Sequence, residues 1–166
     1  MTHLFLGSSP HMAYEKLAWN ETPRFALLLV GGCALVFLSA VLGWPWAAFI
    51  AWGVPREKTA FSRLASWLAW ITSVTALVWM AAAGFVLSDP DELAYGVPPL
   101  VVAMLWATPV IAGLVAVVLL CALVSWLRAY WRFSGRLHYT CVLAAGLAFV
   151  WFLHYGNLLR LPTWPI

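Results

Sequence analysis

From Phe25 to Pro55 the chain carries no Asp, Glu, Lys or Arg, and the same is true of Leu64–Ser88, Leu93–Leu127 and Leu137–Leu159. No other feature restricts the fold so tightly. A bilayer's hydrocarbon core is about 30 Å thick and needs about 20 consecutive apolar residues in a helix that crosses it. Backbone amides inside lipid must be satisfied within the segment, which leaves helices or closed barrels as the spanning forms. Continuous apolar runs of this length, without alternation, point to helices. Composition agrees: apolar residues make up 64% and charged residues 9% of the 166, against about 25% charged in an average soluble domain. Too few polar side chains exist to cover a soluble surface. The expected fold is all-α, an integral membrane protein built as a four-transmembrane-helix bundle.

The expected spans are about 23–44, 61–87, 100–127 and 137–159. Residues 1–22 read as an extracytoplasmic or interfacial segment, with a short amphipathic turn over Tyr14–Trp19. Residues 160–166, with Pro162, Trp164 and Pro165, read as an interfacial tail. The start lacks a basic region followed by a long apolar core and is not read as a secretory signal. Thr22 is suited to cap the first helix with Pro23 at its first position, where a missing N–H costs nothing. Pro45 should end or kink that helix, leaving Trp44, Trp46 and Trp52 at headgroup level. On the second span Ser62, Ser66, Ala69, Ser73 and Ala76 recur at three- and four-residue steps. They form a stripe of small residues along which another helix can approach closely. Pro109 interrupts the third span, and neighbouring helices are expected to satisfy the carbonyl it frees.

Basic residues set orientation. Arg56, Lys58 and Arg63 lie in or beside the first connection and Arg128, Arg132 and Arg136 in the third. Only Lys16, Arg24 and Arg160 are on the opposite side, together with the acidic connection Ser88–Pro99. The first and third connections are therefore expected in the cytoplasm and both termini outside it, in a bacterial cytoplasmic (inner) membrane. The net charge of +3 does not imply nucleic acid. The basic residues flank spans instead of gathering on one exposed face.

Chemistry-bearing groups are sparse. Cys33, Cys121 and Cys141 are odd in number, sit in apolar runs and form no CxxC, which argues against a zinc site or disulfide framework. No ionisable carboxylate or cation falls at mid-span, where transporters and channels usually place them. His138 and His154 are 16 residues apart, about 24 Å along a helix, too far to share a metal or one haem. The candidates that remain are weak. His154, with His3 or His11 on the same side, and Asn157 nearby would have to serve any cofactor, although Asn157 also suits the end of the fourth helix. Arg128, Trp131, Arg132 and Arg136, with Tyr130, interleave basic and aromatic side chains in a way that suits anionic headgroups. No metal site, no cofactor and no catalytic residue is expected. Of the serine and zinc hydrolase signatures, S-x-x-K, K-T-G, G-x-S-x-G and H-E-x-x-H all fail to occur.

Three stretches carry a resemblance: Tyr14–Phe25 (YEKLAWNETPRF), Gly135–Thr140 (GRLHYT) and Trp151–Leu159 (WFLHYGNLL). Together they resemble the membrane region that follows the catalytic domain in some bacterial serine hydrolases of the beta-lactamase and penicillin-binding-protein type. In that family the hydrolase domain lies outside the cytoplasm, in keeping with the orientation expected here. Its S-x-x-K and K-T-G elements have no counterpart on this chain, so no catalytic residue is carried over. The resemblance implies a detached membrane module, a truncated product or a separately encoded anchor, whose partners are the bilayer and an extracytoplasmic serine hydrolase or another membrane subunit. The functional expectation is a non-enzymatic anchor or scaffold. The alternatives are a small transporter or channel subunit, and a haem- or quinone-binding membrane subunit.

Overall fold

The computed structural model describes residues 4–5, 13–14, 22–50, 60–88, 97–128 and 133–159, with side chains described for 22–46, 60–88, 97–128 and 134–159. Four helices dominate: α1 (Pro23–Ile50), α2 (Ala60–Ser88), α3 (Pro99–Arg128) and α4 (Phe133–Tyr155). Each is long and apolar enough to cross a membrane. The chain is thus an all-α, multi-pass membrane protein. The 28 residues of α1 would reach about 42 Å, more than the hydrocarbon thickness. Ahead of α1, β1 (Leu4–Phe5) and β2 (Ala13–Tyr14) pair antiparallel, Leu4 opposite Tyr14 and Phe5 opposite Ala13. Tyr14 therefore belongs to an extended pair and not to an amphipathic turn, because its backbone pairs opposite Leu4 in an antiparallel ladder. Residues 15–19 of that expected turn lie outside the described residues.

The helices run up and down in sequence order. Trp44 near the end of α1 stacks on Tyr139 near the start of α4, and the Tyr139 hydroxyl reaches Ala65 on α2 and Val118 on α3. At the other end Phe25 meets Trp151 and Trp79 meets Met104. Each helix packs against its two sequence neighbours, with α1 and α4 closing the ring. Across the diagonals α2 touches α4, while α1 and α3 do not meet among the described residues.

Helix ends depart from expectation in three places. α1 passes through Pro45 to Ile50. A proline inside a helix loses one hydrogen bond, but near a helix end little remains to break. Trp44 consequently turns inward onto α4, while Trp46 stays 66% exposed; Trp52 lies outside the described residues. α4 begins at Phe133, so Arg136 belongs to the helix and not to a connection. It ends at Tyr155, four residues short of the expected Leu159, because Asn157 takes a left-handed conformation (φ 56°). The Leu158 N–H bonds the Leu153 carbonyl and the Asn157 N–H bonds the His154 carbonyl. That paired 6→1 and 5→2 pattern is a Schellman stop, and Leu158 folds back onto the core. At the start of α1 the Thr22 hydroxyl accepts from the Phe25 N–H at 3.4 Å, the cap expected of Thr-Pro.

Candidate functional site

The centre of the bundle is built on α4. Tyr139, Val142, Ala145, Phe149 and Leu153 are all buried and recur at three- and four-residue steps along one face. Phe149 takes two edge-on aromatic contacts, from Phe37 of α1 at 6.3 Å and Trp79 of α2 at 5.5 Å. One turn away, Gly146 lets Val115 of α3 approach so closely that an added Cβ would lie 3.1 Å from its Cγ2. The Cys33 thiol donates to the Ala145 carbonyl at 3.4 Å. All three other helices therefore converge on one stretch of α4.

Facing it, α2 presents the small-residue stripe. Ser62, Ala65, Ala69, Thr72, Ser73 and Ala76 are buried. Ser66, part of the expected stripe, is only half-buried, and Ala65 and Thr72 complete the seam. The hydroxyls do not form a continuous polar path. Ser66 donates to the Ser62 carbonyl, Thr72 to Leu68, Ser73 to Ala69 and Thr75 to Ile71. Each is satisfied four residues back on its own helix, a pattern that tends to bend helices slightly. Ser125 and Thr108 on α3 likewise bond back along their own helix. Among the described residues no buried side-chain nitrogen or oxygen lacks a partner.

Pro109 leaves α3 continuous but removes the amide that would bond the Leu105 carbonyl. One residue before that carbonyl, the Trp79 indole N–H of the neighbouring helix donates to the Met104 carbonyl at 3.1 Å and the Thr108 hydroxyl donates to the same oxygen at 2.9 Å; neither reaches the Leu105 carbonyl that the proline frees.

The residues singled out from the sequence fall at opposite ends. His154 and Asn157 are both exposed at the end that holds Phe25; Trp151 stacks on Tyr155 beside them at 5.7 Å. His138 is half-buried at the other end, edge-on to Trp44 at 5.8 Å. His3, His11, Tyr130, Trp131 and Arg132 lie outside the described residues. Of the headgroup group, Arg128 is exposed at the end of α3, and the Arg136 guanidinium lies over the Trp126 ring, 5.8 Å from its centroid. Trp126 is itself fixed, donating its indole N–H to the Thr140 hydroxyl at 3.1 Å, while Thr140 donates to the Arg136 carbonyl at 2.8 Å.

Sequence reasoning missed Trp126 and the central part played by Tyr139. The periodic run Tyr139–Leu153 was the available signal for the second. Nothing local marks Trp126, since its partners arrive from the next helix. Among the described residues no three His, Cys, Asp or Glu side chains gather as a metal site would require. In comparisons with protein families, curated proteins and solved structures, the chain matches none.

Proposed function

We propose that this protein is a non-enzymatic membrane anchor or scaffold that tethers or assists an extracytoplasmic serine hydrolase of the beta-lactamase or penicillin-binding-protein type. It would sit in a bacterial cytoplasmic membrane with both termini outside the cytoplasm. The observation that carries the reading is how the interior is used. Its aromatic and small residues pack α1, α2 and α3 onto α4, the hydroxyls of Ser66, Thr72, Ser73, Thr108 and Ser125 bond their own helices, and the Tyr139 hydroxyl ties α4 to α2 and α3. Such an interior suits a rigid support better than a moving pathway. Two of the resembling stretches, Gly135–Thr140 and Trp151–Leu159, fall along α4 and its stop, and the third, Tyr14–Phe25, ends at Phe25, edge-on to Trp151 at 6.4 Å. Two of the three stretches thus touch at the α1–α4 seam. The orientation rests on the excess of arginine and lysine at the end that holds Arg63, Arg128 and Arg136.

The deciding experiment expresses the tagged protein in a bacterial host and purifies it in mild detergent. The purified protein should hydrolyse neither a penicillin-like nor an ester substrate, and crosslinking in the membrane should capture a serine hydrolase. Turnover abolished by substituting a residue of this chain would end the reading. Reporter fusions at both termini should be active only outside the cytoplasm.

A further inference from the structure

We infer that the lipid-facing corner formed by Trp126, Arg136 and Thr140 is a binding site for the phosphate of an anionic phospholipid. The inference needs only that the protein spans a membrane; it does not depend on the anchor reading or on which end faces the cytoplasm.

Three observations build it. First, the guanidinium has an aromatic neighbour. Arg136 lies over the face of Trp126, and Trp126 is tied through Thr140 to the backbone of Arg136 itself. A flexible arginine loses rotamer freedom on being fixed, and a side chain already lying over an indole has surrendered part of that before a ligand arrives. Second, the corner is outside the bundle: Trp126 is 46% exposed, and Arg128, the last residue of α3, is exposed beside it in sequence. Third, the residues next in sequence to Trp126 and Arg136 are apolar and exposed. Leu127 is 85% and Leu137 52% exposed, a surface that suits acyl chains. That surface is why the occupant is a lipid and not a free phosphate ion. An arginine over a tryptophan near a helix end, with exposed leucines next in sequence, matches a headgroup–chain boundary, where basic side chains meet anionic lipid.

The test compares lipid retention. Protein in nanodiscs of equal parts phosphatidylglycerol and phosphatidylcholine is extracted into neutral detergent, and the co-purifying lipid is measured by mass spectrometry. Wild type should retain phosphatidylglycerol several-fold above phosphatidylcholine. R136Q should lose most of that preference, R136K should lose part of it, and W126F should weaken it. R63Q removes an exposed charge from the same end of the bundle on α2 and should leave the preference intact. An equal loss in R63Q and R136Q would mean a diffuse basic field and overturn the site. Equal stabilisation of the protein in phosphatidylcholine discs by inorganic phosphate and by phosphatidylglycerol would overturn the lipid assignment. Melting temperatures of every variant separate loss of binding from loss of fold; should R136Q fail to fold, the contrast between R136K and R63Q decides the matter.

Discussion

α1 and α4 are both uncharged over a membrane's width, yet they serve opposite ends. In the most apolar 18 residues of α1, 17% are buried; in α4 the figure is 39%. α1 turns Leu27, Leu28, Leu35 and Leu42 outward, each at least two-thirds exposed. α4 turns Tyr139, Phe149 and Leu153 inward with almost no exposure. The difference teaches what drives assembly in lipid. Leucine gains little by leaving acyl chains for protein, so bulk apolarity does not select the interior. Shape does: α4 has the glycine, the aromatics and the edge-on contacts that let three other helices fit it.

The sharpest way to break this contrast is to remove one large side chain from each helix. F149A should cost about 3 kcal/mol or more, since Phe149 fills the meeting point of α1, α2 and α4. L35A, outward on α1, should change stability by less than about 0.5 kcal/mol. Unfolding in graded detergent mixtures would read both, and comparable losses would refute the division of labour. Next in size is overpacking. G146V would drive a side chain into Val115 and should cost about 1–3 kcal/mol. G31A meets nothing within 4 Å and should be neutral, or stabilising by about 0.5 kcal/mol through helix propensity. A smaller effect is expected of W79F, which keeps the ring against Phe149 but withdraws the indole donor from Met104. About 0.6 kcal/mol is typical for such a bond in a membrane bundle, and faster amide exchange around Pro109 would accompany it. The smallest effect has the opposite sign. Asn157 holds a left-handed backbone at the end of α4, so N157G should raise stability by a few tenths of a kcal/mol and N157A should lower it, as thermal melting would report.

What could be read in advance followed the range of the forces involved. The four spans were legible because lipid solvation acts on every residue of a segment. The Thr22–Pro23 start was legible because a cap is made within three residues. The stripe on α2 was legible as periodicity, but which members were buried was not: Ala65 and Thr72 displaced Ser66 because the direction of the partner helix decides it. Pro45 misled, since a proline signal says that one bond is lost and not whether the chain needs it. The early stop of α4 was half-legible. Asn157 tolerates the left-handed region, yet only the fold of Leu158 back onto the core makes the stop fall there. The corner at Arg136 was read as a run of charges along a connection, whereas its organising contact, with Trp126, joins two helices.

The hydroxyl of Tyr139 has a single proton, and two carbonyls, at Ala65 and Val118, lie 3.5 Å away on different helices. Helices enter a membrane in the order they are synthesised, so both acceptors are in place before the donor is made. The first three helices therefore precede the fourth, which ties two of them together through one hydroxyl. A ribosome stalled before residue 133 would leave a protein inserted in the bilayer but without its keystone, and quality-control proteases should find it there.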